Sequence, residues 1–155
     1  MRPRLLPVAA LAALAGCQTG SPAPPSRGKL ELIEAPATAD VAAYLAPLIV
    51  RADGDHKKLV VYVGASWCEP CRHFHDAAVA NQLDARFGDL RIIAFDADRD
   101  DPVLEVAGYH SSLLPLFALP NGDGRASGKE FAGSIKGDGA VAQIAPNLRE
   151  LVDRR

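Results

Sequence analysis

Apolar positions along residues 29–155 fall into two alternating patterns, short unbroken runs and helically spaced stripes. Leu59-Val60-Val61-Tyr62-Val63 is unbroken and rich in β-branched residues, the pattern of a central strand covered on both faces. Leu90 to Phe95 is a second such run. Between them, Glu69 to Phe87 reads as one helix with Phe74, Ala78 and Leu83 on its buried side. Upstream, a short strand near Lys29 to Ile33 precedes a helix capped by Thr38 or Asp40. In that helix Val41, Tyr44, Leu45 and Leu48 are helically spaced, and Pro47 kinks or shortens it. Asp53-Gly54 then signals a turn.

Further along, Asp101-Pro102 is read as opening a helix that runs through about Tyr109. Pro115 to Leu119 and Lys129 to Ser134 flank Asn121-Gly122-Asp123-Gly124, a turn sequence, and so read as an antiparallel pair of strands. Val141, Ile144, Ala145, Leu148 and Val152 mark a closing amphipathic helix. The order of elements implies an α/β fold: a central mixed sheet flanked by helices on both faces. The chain shows no internal repeat.

Residues 1–28 follow a different pattern. Arg2 and Arg4 precede an apolar run from Leu5 to Ala15, too short to span a bilayer, which needs roughly 20 apolar residues. The run ends in Leu14-Ala15-Gly16-Cys17, which resembles the lipobox of bacterial lipoproteins. That resemblance implies a signal peptide over 1–16, lipidation of Cys17 and a periplasm-facing membrane anchor held by acyl chains. The plainer readings are an ordinary secretory signal with a chance Cys, or a buried Cys in an N-terminal helix. Residues 17–28, rich in Pro, Ser and Gly, read as a tether that would reach about 30 Å if extended, leaving 29–155 as the expected folded domain. Gln18, where an Asp is associated with inner-membrane retention, favours outer-membrane sorting.

Without residues 1–16 the chain has 15 Lys plus Arg against 19 Asp plus Glu, a formal charge of −4, which argues against a nucleic-acid partner. Only three cysteines are present. With Cys17 assigned to lipid, Cys68 and Cys71 remain as a pair and no odd thiol is left to oxidise outside the cytoplasm.

Trp67-Cys68-Glu69-Pro70-Cys71 lies between an expected strand and an expected helix. A thiol at a helix start meets unsatisfied backbone N–H groups and the positive end of the helix dipole, which favour the thiolate. Cys68 is therefore the expected attacker. Cys71, one turn later, is placed to resolve a mixed disulfide, and Pro70 suits the first turn. Glu69 beside Cys68 opposes the thiolate, and a less stabilised reduced form makes a weaker oxidant, so a reductant is the expectation.

These residues resemble the Trp-Cys-x-x-Cys signature of the thioredoxin superfamily, whose order of elements residues 58–152 follow. The resemblance implies a thioredoxin fold, disulfide exchange with protein clients and a cis-proline opposite the cysteines, matched by Pro115. The backbone of Leu114 would then pair with an extended client strand, and Trp67 would shield the site and contact partners. Two positions depart from the pattern: Tyr62 stands where a buried acid is usual, and Ala94 falls near its usual lysine partner, so proton transfer to Cys71 must use water or another group. Leu114 also replaces the usual Thr, Val or Ile. Cys-Glu-Pro-Cys is similar to the motif of extracytoplasmic reductases serving cytochrome c maturation. Residues 64–133 resemble the periplasmic domain of transmembrane disulfide reductases, which implies a membrane electron donor. No organic cofactor is needed.

Three other patterns compete. Cys68, Cys71, His73 and His75 offer soft and imidazole ligands for copper or zinc, the basis of a rival reading as a metal-handling module, although ligands packed into one helix start converge poorly. We expect no metal site. Asp96-x-Asp98-x-Asp100 imitates the start of a calcium loop but has Asp101 where Gly is needed and Ala107 where Glu is needed, so it reads as an acidic loop and helix cap. Gly128-Lys129 lacks the first Gly and the Ser or Thr of a phosphate loop.

Overall fold

The computed structural model describes residues 28–154; the expected signal segment, Cys17 and most of the tether lie outside the described residues. The elements run β1 (Glu31–Glu34), α1 (Val41–Gly54), β2 (Lys58–Gly64), α2 (Glu69–Val79), α3 (Asp84–Phe87), β3 (Leu90–Asp96), α4 (Ala97–Ala107), β4 (Leu116–Pro120), β5 (Ala126–Ala132) and α5 (Ala140–Asp153). One five-stranded sheet has the order β1-β3-β2-β4-β5. β1 and β2 pair parallel with β3, while β4 runs antiparallel to both β2 and β5.

The unbroken apolar runs are explained by what covers each face. Val60, Tyr62, Leu90, Ile92 and Phe117 point to one side, where α2 and α5 bring Phe74, Ile144 and Leu148. Val61, Val63, Ile93, Phe95 and Leu116 point to the other, where α1 and α4 bring Val41, Leu45 and Leu104. A strand that alternates between two dry faces has no polar positions left to show a period. Each large apolar side chain so buried contributes roughly 1.5–3 kcal/mol.

Several boundaries differ from the expectations, each for a local reason. Asp40 is the α1 cap, its carboxylate accepting the Ala43 N–H, and the helix continues past Pro47 to Gly54. The expected turn at Asp53-Gly54 is displaced: His56 takes the left-handed backbone (φ 56), and Lys57 N–H bonds to Ala52 O while His56 N–H bonds to Asp53 O. The expected single helix from Glu69 to Phe87 breaks in the same way. Asn81 (φ 59) terminates α2, with Gln82 N–H on Ala77 O and Asn81 N–H on Ala78 O, and α3 returns Phe87 to the core.

α4 begins at Ala97, ahead of the expected Asp101-Pro102 start, and Pro102 lies inside it. Asp96 accepts the Asp98 and Arg99 N–H groups, and the buried Asp100 reaches back to the Asp96 N–H, so the first-turn donors are satisfied four residues earlier. The acidic triplet is thus a helix cap in this fold. β5 starts three residues before the expected Lys129. In the β4–β5 turn Gly124 has φ +84 and would drive a Cβ into the Ala42 carbonyl, so this position needs glycine. No helix among the described residues is long and apolar enough to cross a membrane.

Candidate active site

β2 ends at Gly64, the chain crosses Ala65-Ser66-Trp67, and Cys68 caps α2 with extended backbone while its Sγ accepts the Cys71 N–H at 3.3 Å. A sulfur here takes the place of the hydroxyl or carboxylate oxygen usual at a helix cap. Pro70 occupies the second helical position, where no intrahelical N–H is missed. Cys68 and Cys71 form a disulfide with Cα atoms 5.2 Å apart. Both are buried, 5% and 2% exposed.

The antiparallel pairing of β2 with β4 sets Val63 opposite Leu116. Leu114 and Pro115, just before Leu116, therefore lie at the sheet end from which the cysteine loop leaves. The Leu114–Pro115 bond is cis, and the Pro115 carbonyl accepts the Gly133 N–H at 2.9 Å. Trp67 and Leu114 line one side of a small cleft of about 180 Å³. Trp67 is 65% exposed, and its indole N–H donates to the Asp98 carboxylate at 3.0 and 3.1 Å. Exposed Leu113 and Ile135 add apolar surface in the neighbouring loops.

Glu69 bonds to the loop that precedes α5. Its Oε1 accepts the Gly137 N–H at 3.1 Å and lies 3.8 Å from His73 Nε2, tying the start of α2 to the β5–α5 loop. His75 turns the other way, Nε2 lying 3.1 Å from Glu34 Oε1 at the end of β1. The two histidines thus serve different carboxylates, and among the described residues no group of three or more His, Cys, Asp or Glu side chains is placed to hold a metal ion.

Behind Cys71 the Tyr62 hydroxyl donates to the Cys71 carbonyl at 3.2 Å. Burial pushes the Tyr62 phenol well above its ordinary range, and the Glu34 charge adds to the shift. A Cβ on Gly64 would sit 2.5 Å from that hydroxyl, so the glycine two residues on is what lets the ring lie along this face. Ala94 is opposite Tyr62 in the register. A cleft of about 340 Å³ opens here, with Tyr62, Cys71, His75 and Glu34 among its walls.

Sequence reading did not find Glu34, Asp98 or Gly137 as parts of the site. Each reaches it from a distant segment by hydrogen bonding, and no spacing reports that. Gly64 does carry a readable signal, a missing side chain two positions after a bulky Tyr on the same strand face.

No known family profile matches the sequence. Over 92 residues, 58% of the chain, it is 30% identical to a probable nucleoredoxin 1 of Arabidopsis thaliana, and the match spans 15% of that protein's length. Among solved structures, a thioredoxin from Nicotiana alata aligns with TM-score 0.49 and 19% identity over 84% of this chain and 97% of that one. A Fasciola hepatica thioredoxin aligns with TM-score 0.49 and 22% identity over 80% and 97%. A mixed sheet in the order β1-β3-β2-β4-β5, helices on both faces and a Cys-x-x-Cys disulfide opening the helix after the central strand give the chain a thioredoxin fold.

Proposed function

We propose that this chain is an extracytoplasmic thiol–disulfide oxidoreductase, anchored by lipid on Cys17, that reduces disulfides in client proteins. The observation that carries the reading is the Cys68 sulfur at the N-terminal cap of α2, accepting the Cys71 N–H. Backbone donors there favour a thiolate, the attacking species in exchange.

In the reducing direction the Cys68 thiolate attacks a client disulfide. A Cys68–client S–S bond forms, and the client's other sulfur leaves and takes a proton. Cys71 then gives up its proton and attacks Cys68 Sγ, releasing the second client sulfur. The client gains two electrons and two protons, and the chain is left with the Cys68–Cys71 disulfide, which a membrane dithiol donor reduces. The apolar surface of Trp67, Leu113 and Ile135 suits a protein client, whose extended backbone would lie along Leu114.

Glu69 supports the reducing direction: its carboxylate, held by the Gly137 N–H, is a negative charge one residue from Cys68 that disfavours the thiolate. Glu69→Gln is expected to raise the redox potential by on the order of 30 mV, a change of about 1.4 kcal/mol. The positively charged, apolar leader and Leu14-Ala15-Gly16-Cys17 support export and anchoring, with Gln18 favouring the outer membrane.

The test is the equilibrium potential of the pair against glutathione or dithiothreitol, read by thiol alkylation. A value near about −250 mV or below supports a reductase, and one near about −120 mV replaces it with an oxidase. Stoichiometric Cu(I) binding without disulfide reductase activity would replace exchange with metal delivery.

A further inference from the structure

We infer that His75, oriented by Glu34, takes the proton from the Cys71 thiol through the cleft behind α2 during the resolving step. The inference rests on disulfide exchange at Cys68–Cys71.

Cys71 is 2% exposed, so its thiol cannot pass a proton directly to bulk water. A thiol is a poor nucleophile until it loses that proton. The cleft of about 340 Å³ that Cys71 lines is the route out, and it has room for several water molecules at about 30 Å³ each. His75 lines the same cleft one helical turn after Cys71, where residues four apart are neighbours on a helix face.

The other titratable and charged groups around His75 are poorly suited to the task. Tyr62 of β2 is kept neutral by burial, and its hydroxyl hydrogen is directed to the Cys71 carbonyl. Asp96, at the end of β3, is occupied in capping α4. Arg72 is a cation donating to the Ser66 carbonyl. Asp76 stands 3.7 Å from His75 Nδ1, and Glu34 of β1 holds Nε2. Of these side-chain classes only imidazole ordinarily exchanges a proton between about pH 5 and 8.

The Glu34 contact gives His75 its form. An ionised carboxylate only accepts, so Nε2 carries the hydrogen and Nδ1 keeps the free lone pair. When Nδ1 gains the thiol proton, the Cys71 sulfur becomes a thiolate, and the imidazolium is stabilised by the same carboxylate. The thiolate attacks Cys68 Sγ, a Cys68–Cys71 bond forms, the client sulfur leaves, and the imidazolium proton returns through the cleft to the departing thiolate or to solvent. Glu34 is a positioning residue. His75 acts through solvent and does not touch the sulfurs.

The test uses the full chain carrying Cys17→Ala, reduced and mixed in a stopped flow with one equivalent of an aryl disulfide whose thiolate absorbs visible light. Attack by Cys68 releases the first thiolate, and resolution by Cys71 releases the second. In His75→Gln the first phase is unchanged, and the second slows roughly 100-fold near neutral pH, the low end of what a positioned proton acceptor supplies. The neutral inflection of its pH profile disappears, and added imidazole restores the rate. In Glu34→Gln the ring loses the carboxylate that orients Nε2, so the second phase alone slows, by less than in His75→Gln. A second-phase profile unaltered in His75→Gln, or both phases slowed equally, overturns the inference. If the parent chain itself shows no second phase, the exchange reading has failed, and the proton path with it.

Discussion

The two faces of the sheet carry cores of different character. On the α2/α5 face, Tyr62, Phe74, Phe117 and Phe131 make ring contacts with centroids 4.8 to 5.6 Å apart, and the cysteines sit in that same cluster. The α1/α4 face is mainly aliphatic, built on Leu45, Val61, Ile93, Leu104 and Leu116. Its buried Tyr109 hydroxyl donates to the Gly124 carbonyl at 2.8 Å and ties the segment after α4 to the β4–β5 turn. Aromatic rings fix a surface with few rotatable bonds and, in Tyr62, carry a polar end that can hold backbone. One face therefore sets where the reacting helix lies, while the other supplies packing. Perturbing the first should change chemistry and stability together, and perturbing the second away from the Trp67–Leu114 cleft should change stability alone.

Phe117→Ala makes the largest breach. It removes the ring shared by three of the four contacts and should cost about 3–5 kcal/mol, lowering the denaturation midpoint and altering exchange kinetics in whatever remains folded. Leu45→Ala on the opposite face, which does not line the Trp67–Leu114 cleft, should cost about 2–5 kcal/mol while leaving the exchange rate of the folded protein unchanged. A matching loss of rate would erase the distinction between the faces. Tyr62→Phe keeps the ring and removes only the bond to the Cys71 carbonyl, so a loss of about 1 kcal/mol is expected in chemical denaturation. Smallest is Asp98→Asn, which should alter stability by no more than about 0.5 kcal/mol yet change the fluorescence of Trp67, the chain's single tryptophan. Unchanged emission would mean that the indole–carboxylate contact does not persist in solution.

Legibility in the sequence followed the physics of each feature. The β2 and β3 runs, the Asn121–Gly124 turn and the α5 stripe were readable because burial and turn chemistry act on neighbouring residues. The early stop of α2 was not, because Asn81 in left-handed backbone looks like any polar helical residue until the chain must turn to bury Phe87. Pro102 suggested a helix start on propensity, but the Asp96 and Asp100 caps outweighed it. Within the site, Cys68, Glu69, Pro70 and Cys71 were legible as a contiguous motif at a strand-to-helix junction. Glu34, 41 positions from His75, became a neighbour only when β1 paired with β3.

The most direct measurement of the central claim is adduct trapping on a disulfide-bonded client protein, in the full chain with Cys17→Ala and either Cys71→Ser or Cys68→Ser. We predict that Cys71→Ser accumulates a stable mixed disulfide through Cys68, visible on a non-reducing gel and lost on reduction, while Cys68→Ser forms none. Equal adduct through Cys71 in the Cys68→Ser chain, or no adduct in either, would contradict the assignment of Cys68 as attacker and Cys71 as resolver.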